Sequence, residues 1–503
     1  MSFKRFKKAL LGIVTAFIVF AGVLSPSAYA AVDNGTNITY FGAKPKYVFM
    51  FIADGLSYSQ MGITSAYLGA MQGKVENQAL TMMNFPVVGS AATYDLTSFA
   101  PDSASTATSY ATGYKTLSGV INMDETKSKT YETITEKLKK QMGWKIGIIS
   151  SVNLNHATPA AFYGHQASRG NYYELSQELI SSGFEYYAGG KLLDSRTGDF
   201  NNLDVYDDLK ANGYTVATTT AQFKALKGTE EKVAVFSDDK DFTDDTGAMH
   251  YEVDRPASQP SLKDYVSAGI KTLENDKGFF MMVESGKVDW ASHANDAASV
   301  VKDVLAFNEA LDEAVAFAAS HPSETLIIVT GDHETGGLSI GFAGTGYDTH
   351  LDLLSKQKVS FIEYDKQVAK FRENGTEFND VLASVKWNFG LMTKDDEASA
   401  ANPLLTLSDY ELATIKAAYA KSMTDPKDRK LNDEENILYG TYEPFTVTLT
   451  HILNQKAGIG WTSYAHTGLP VPVFAMGAGE ELFEGFYDNT KVFYIIKALT
   501  DVK

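Results

Sequence analysis

Residues 46–55 read Lys-Tyr-Val-Phe-Met-Phe-Ile-Ala-Asp-Gly. The apolar run from Tyr47 to Ala53 stops at Asp54, and Gly55 supplies a turn. A short run that is apolar on both faces predicts a strand buried on both sides, as in a parallel sheet covered by helices. The pattern recurs. Trp144-Lys-Ile-Gly-Ile-Ile-Ser150 heads towards His156 and Thr158, and Phe279-Phe-Met-Met-Val283 runs into Glu284-Ser-Gly. Thr325-Leu-Ile-Ile-Val-Thr330 runs into Gly331-Asp332-His333-Glu334, and Val471-Pro-Val-Phe-Ala-Met476 follows shortly after His466. All five are read as buried parallel strands.

Helical patterns alternate with them. The spacing predicts helices over Lys129–Met142, Tyr172–Ser182, Leu262–Glu274 and Ala297–Ala319; in the last, Val301, Val304, Leu305, Leu311 and Val315 recur at near-helical intervals. Strand–helix alternation implies an α/β fold, a central largely parallel sheet flanked by helices. Ligands of such sheets gather beyond the carboxyl ends of the strands. Asp54, Glu284, Asp332 and His333 are expected there. From about 344 to 456 the alternation lapses, with helices expected at Asn379–Phe389 and Ser408–Ser422. This stretch is read as a large insertion in one main domain spanning 31–503, not a separate domain.

Residues 1–30 are read as a secretory leader. Lys4, Arg5, Lys7 and Lys8 precede the apolar run Ala9–Leu24, and Ala28-Tyr29-Ala30 is a small-x-small cleavage site. A retained membrane anchor is the competing reading, disfavoured by the cleavage site. Later segments fall short of the roughly 18 consecutive apolar residues that a spanning helix needs. The expectation is an exported protein, periplasmic or extracellular, without a membrane anchor after cleavage.

Composition narrows the chemistry. The 503 residues include 62 Asp and Glu against 44 Lys and Arg, a formal net charge of −18, and removing the leader's four cations makes it −22. Such a surface disfavours nucleic-acid binding, because phosphate backbones call for basic patches. Cysteine is absent, which excludes disulfides, thiolate metal sites and cysteine nucleophiles. Any metal or nucleophile chemistry must use oxygen and imidazole.

Singly, the candidates are ordinary. Asp-Gly after a strand is usually a turn, a serine opening a helix is usually a cap, and Asp289 with His293 is an i,i+4 pair of common structural type. Together they are not ordinary. Carboxylates and imidazoles converge at strand ends, and such mixed hard and borderline ligands suit zinc beside magnesium. Ser103 has no histidine nearby in sequence to serve as base, so activation by a metal is the natural alternative. Arg169 suits bidentate contact with a phosphate.

Five segments, in order, resemble the bacterial alkaline phosphatase family. Pro101-Asp-Ser-Ala-Ser-Thr-Ala-Thr-Ser-Tyr-Ala-Thr-Gly-Tyr-Lys115 resembles its nucleophile signature. His156-Ala-Thr-Pro-Ala-Ala-Phe-Tyr-Gly-His-Gln-Ala-Ser-Arg169 and Glu284-Ser-Gly-Lys-Val-Asp-Trp-Ala-Ser-His293 resemble phosphate-binding and metal segments. Asp332-His-Glu-Thr-Gly-Gly and Ala465-His466-Thr-Gly match the remaining motifs. The resemblance implies a phosphomonoesterase with two Zn2+ and one Mg2+, acting on small phosphate monoesters through a phosphoserine at Ser103. It implies a first zinc on Asp289, His293 and His466, and a second on Asp54, Asp332 and His333, with Ser103 as its changing ligand. Asp54, Thr158 and Glu284 would hold the magnesium, and Asp102 would hold Arg169.

Two positions depart from the best-known branch, which has Asp in place of His156 and Lys in place of Trp290. His156 and Trp290 resemble another bacterial branch, in which His156 lies outside the third metal and Trp290 lies near bound phosphate. The 344–456 segment resembles a loop that some members use across a homodimer interface. Rival readings are weaker: diesterases of this kind commonly use Thr and lack the Ser103–Arg169 combination, sulfatases need a different signature, and a non-catalytic zinc protein gives Ser103 and Arg169 no purpose.

Overall fold

The computed structural model describes residues 31–33, 36–194, 203–237 and 243–503; the leader read at 1–30 lies outside them. Ten strands make one sheet: β1 (Tyr47–Ala53), β2 (Val87–Ala92), β3 (Lys145–Asn153), β4 (Tyr186–Gly190), β5 (Thr215–Ala217), β6 (Val233–Ser237), β7 (Phe279–Ser285), β8 (Thr325–Gly331), β9 (Val471–Gly477) and β10 (Gly485–Asp488). Their order is β10-β2-β9-β8-β1-β7-β3-β4-β6-β5. Every pairing is parallel except those of β9, which is antiparallel to both β8 and β2. The parallel reading of 471–476 is thereby corrected. The chain enters β9 a few residues after His466, at the carboxyl edge of the sheet, so the strand runs back down.

Alternation along β1 divides the interior into two layers. Val48, Met50 and Ile52 face one side, where they join Ala104, Ala107 and Ala111 of α2 (Ser103–Thr112; α1 is Tyr58–Met71). Tyr47, Phe49 and Phe51 face the other, against Val300, Val304 and Phe307 of α4 (Ala297–Ser320), which follows α3 (Lys287–His293). Each fully buried aromatic or aliphatic side chain contributes roughly 1.5–3 kcal/mol relative to exposure. Loss of such a strand would therefore collapse both layers.

Five predicted helices keep their type with end shifts of a residue or so. Lys129–Met142 does not: Ile134–Lys137 is α-helical and Leu138–Met142 is a π turn ending at Gly143, in the left-handed region. Residues 129–131 are drawn away instead, with Tyr131 N–H donating to Asn122 O and Asp124 N–H to Lys129 O. Thr133 and Glu136 then form a capping box that starts the helix. The 344–456 stretch is helical throughout its regular structure, including Phe361–Asn374, Phe378–Phe389, Asp409–Ser422 and Pro444–Ala457. Tyr364, Phe389 and Phe445 pack it on Ile63 and Tyr67 of α1 and Val301 of α4. Among the described residues no helix is long and apolar enough to cross a membrane.

Buried Asp95 ties the loop before α2 to that helix. Its Oδ1 accepts from Thr97 N–H at 2.6 Å, Thr97 Oγ1 at 2.7 Å and Ser98 N–H at 2.7 Å; its Oδ2 accepts from Ser105 at 2.8 Å and Ser118 at 2.5 Å. Burial alone would raise its pKa, but these donors outweigh burial and hold it below the usual carboxylate range. A depressed carboxylate pKa stabilises the fold above the unfolded-state value, and that stabilisation is lost as pH falls through the folded value. Asp95→Asn is expected to cost about 1–3 kcal/mol at pH 7, with the gap to wild type narrowing below the usual carboxylate pKa; urea unfolding across that range measures it, and a constant gap contradicts the assignment.

Candidate active site

Register brings the chemistry to one edge. Ala53 pairs with Gly331 and Ser285, and Ile52 with Thr330 and Glu284, so β8, β1 and β7 end level. Asp54, Asp332 and Glu284 are consequently neighbours, all buried. Gly55 makes the turn at φ +75°, and a Cβ there would meet the Asp289 Cα at 2.8 Å. Glycine is thus required both for the backbone and for the approach of α3.

Two groups of ligand-type atoms converge. In the first, Asp54, Asp332 and His333 have atoms all within 4.8 Å of one another. His333 Nε2 lies 3.3 Å from Asp54 Oδ1 and 3.4 Å from Asp332 Oδ2. In the second, Asp289, His293 and His466 meet the same limit, with Asp289 Oδ1 3.4 Å from His293 Nε2 and 3.6 Å from His466 Nε2. The Nδ1 atoms of His293 and His466 donate to the carbonyls of Tyr464 and Pro101. That orients each ring with its Nε2 facing inward, where the two Nε2 atoms lie 3.0 Å apart.

Ser103 opens α2, with Asp102 as N-cap accepting from Ser105 N–H at 3.1 Å. The Ser103 Oγ lies 3.2 Å from His333 Nε2, a closeness across 230 positions that local sequence did not reveal. Arg169 Nη1 donates to Asp102 Oδ2 at 2.9 Å, and Nη2 to His156 Nε2 at 3.2 Å. Burial first, then the adjacent guanidinium, pushes the His156 pKa down to about 3, so this imidazole is neutral and can accept. Trp290 stands edge-on to His156, ring centroids 5.7 Å apart at 80°. Thr158 Oγ1 is 3.4 Å from Asp54 Oδ2, and Glu284 reaches the same carboxylate. The candidate site residues read from the sequence lie in this one neighbourhood.

The electrostatics call for cations. Burial, followed by the neighbouring carboxylates, pushes Asp54 well above the usual range; burial, and beyond it other carboxylates, takes Glu284 to about 8 and Asp332 to about 7. Asp54 Oδ1 and Glu284 Oε1 are buried with no hydrogen-bond partner. Buried anionic oxygens without donors are costly unless positive charge compensates them. The donor set, carboxylate with imidazole in both groups, fits divalent metal.

Several supporting residues escaped sequence reasoning. Thr335 Oγ1 donates to Asp289 and lies 3.2 Å from His333 Nδ1, Thr106 reaches Asp332 Oδ2 at 3.3 Å, and Ser150 donates to Glu284. Glu334 accepts from Gln60 Nε2 at 2.8 Å, Gly337 N–H at 3.1 Å, Leu338 N–H at 3.2 Å and Thr467 Oγ1. It thereby joins α1 to the paired segments Glu334–Thr335 and His466–Thr467, fixing His333 relative to His466. Thr335 and Glu334 were visible only as neighbours of Asp332-His333; the backbone acceptors carry no sequence signal.

A serine hydroxyl and a guanidinium flanked by two carboxylate–imidazole groups can grip a phosphoryl group and attack it, which places the protein among phosphate-ester hydrolases. The alkaline phosphatase family model matches residues 45–196 and 191–502; the chain belongs to that family of phosphomonoesterases. Alkaline phosphatase 4 of Bacillus subtilis is 28% identical, the alignment covering 98% of each chain, and alkaline phosphatase 3 of the same organism is 29% identical over 97% of this chain and 96% of its own. A cold-active alkaline phosphatase from a psychrophilic Shewanella superimposes with TM-score 0.73 at 26% identity, covering 90% of this chain and 99% of its own. The Thermus thermophilus alkaline phosphatase gives 0.73 at 25%, covering 92% of each.

Glu334→Ala strands several buried donors at once. Unfolding free energy is expected to fall by about 2–4 kcal/mol, with faster loss of bound metal on dilution. Urea titration and timed metal analysis check this, and a change within about 0.5 kcal/mol, the range of neutral surface substitutions, would remove Glu334 from the framework of the site.

Proposed function

We propose that the protein is an exported phosphomonoesterase that hydrolyses small phosphate monoesters through a phosphoserine at Ser103. The observation that carries this reading is Ser103 Oγ, at a helix N-terminus, 3.2 Å from His333 Nε2, with Arg169 clamped to the adjacent Asp102. Arg169, braced by Asp102 and His156, presents its remaining donors to the phosphoryl oxygens. Amides at the start of α2 add to them. Ser103 Oγ attacks phosphorus as the ester P–O bond breaks, and the alcohol departs with a proton. Water then cleaves the phosphoserine, releasing inorganic phosphate and restoring the hydroxyl.

Asp289, His293 and His466 would hold one zinc, and Asp54, Asp332 and His333 a second beside Ser103. The all-oxygen set of Asp54, Thr158 and Glu284 suits magnesium. When bound, these ions supply positive charge that favours the serine alkoxide and the leaving oxygen. Trp290 closes one side of the phosphate position, and His156 remains outside the third metal. The leader at 1–30 supports export to a periplasm or the medium. A homodimer engaging the 344–456 segment, carried within a single 31–503 catalytic domain, completes the proposal.

Ser103→Ala should retain fold and metal while losing at least about a thousandfold in turnover of an aryl phosphate, in keeping with losses on removing a nucleophile. Exhaustive chelation should abolish activity, with zinc restoring it and magnesium raising it further. Near-normal turnover by the verified variant, or by analytically metal-free protein, refutes the mechanism; preference for a diester over the matching monoester refutes the substrate class.

A further inference from the structure

Lys287, the first residue of α3, is a buried cation outside the metal-ligand groups. Its ammonium pairs with the Asp244 carboxylate, the two side chains being 0% and 1% exposed. The same Nζ sits over two aromatic faces, 4.1 Å from the Tyr251 ring centroid and 4.7 Å from that of Trp290. Residues 287 and 290 share a helix face at i,i+3 spacing, so the lysine stem runs alongside the indole. Asp303 is a further carboxylate within electrostatic reach.

The anchor is itself rigid. Asp244 Oδ1 accepts from Thr246 N–H at 2.9 Å, and Asp244 N–H donates to Ala248 O at 3.0 Å. Met249 N–H donates to Ser151 O at 3.0 Å, while Lys287 N–H donates to Ser151 Oγ at 3.2 Å. Both halves of the ion pair are thus fastened to the end of β3, the strand that leads to His156.

From Trp290 the contacts continue to the phosphate position. Its ring meets His156 edge-on, and His156 Nε2 accepts from Arg169 Nη2 at 3.2 Å. Arg169 therefore has a charged brace in Asp102 and a neutral one whose orientation depends on Trp290. A desolvated cation over an indole face is an attractive contact with a preferred geometry.

We propose that Lys287 is a positioning residue: held by Asp244, it fixes Trp290 and, through His156, the Arg169 guanidinium, and so sets how tightly product phosphate is held. The proposal rests on the phosphomonoesterase reading above. Because Asp244 neutralises Lys287, the action is through placement of side chains, not through net charge at the site.

The double variant Asp244→Asn/Lys287→Met removes both charges together and avoids leaving one buried ion unpaired. Its inhibition constant for inorganic phosphate and its KM for an aryl phosphate are expected to rise about fivefold to thirtyfold, the range for one lost desolvated cation–π contact. kcat should change less, metal content should be unaltered, and Lys287→Arg, which keeps the cation, should restore phosphate inhibition to within about twofold. Should the double variant not fold, Lys287→Gln, which still donates to Asp244 but carries no charge over Trp290, is measured in the same way. Unchanged phosphate inhibition in a folded variant overturns the proposal, as does a change that tracks loss of metal. If the unaltered protein fails to hydrolyse the monoester, it is the functional reading that falls.

Discussion

The level ending of β8, β1 and β7 is the constraint on which the rest of the structure depends. Parallel pairing of Ile52 with Thr330 and Glu284 sets Asp54, Asp332 and Glu284 side by side, and Gly55 lets α3 bring Asp289 against them. Four carboxylates are buried there together. Without compensating charge such a cluster would drive its members to the protonated form. Two imidazole-bearing groups at the same edge offer donor sets that would hold compensating cations. The strain at this edge is electrostatic.

Around that edge, a shell of neutral and charged hydrogen-bonding groups determines orientation. Backbone carbonyls of Tyr464 and Pro101 select the histidine tautomers, while Glu334 binds together the segments that carry His333 and His466. Asp102 does two jobs, capping α2 and pairing with Arg169. One carboxylate therefore couples the direction of the nucleophile's helix to the place where the phosphoryl group is gripped. His156, held neutral, adds a hydrogen-bond acceptor without adding charge.

Much of this was legible from residues. Runs such as 46–53 announced buried strands because both faces were apolar, and the polar residues that ended them announced the site. The same two-faced apolarity concealed direction: nothing in 471–476 distinguishes an antiparallel strand from a parallel one, and only its entry from the His466 side decides. The helix at 129–142 was over-read because periodicity does not register the pairing of Lys129 and Tyr131 with the 122–124 turn. In 344–456 the helices Phe378–Phe389 and Asp409–Ser422 were readable, whereas Phe361–Asn374, Asp433–Tyr439 and Pro444–Ala457 were not, and capping does not separate them: Asn432 with Glu435 boxes an unread helix just as Ser408 with Glu411 boxes a read one. The Ser103–His333 approach and the Asp244–Lys287 pair join distant positions by tertiary packing, which one sequence does not encode in any local pattern. Family resemblance named the residues that meet in the two carboxylate–imidazole groups, and Glu284 beside them; it was silent on Thr335, Ser150 and the backbone carbonyls that bond to these residues.

The central claim is that the two carboxylate–imidazole clusters are divalent-metal sites adjoining Ser103. Anomalous X-ray diffraction from crystals of the intact protein, with data on both sides of the zinc absorption edge, tests it most directly. Two zinc peaks are predicted, one among Asp289, His293 and His466 and one among Asp54, Asp332 and His333 within reach of Ser103 Oγ. Crystals of active protein that show no metal density among Asp54, Asp332 and His333 would contradict the account.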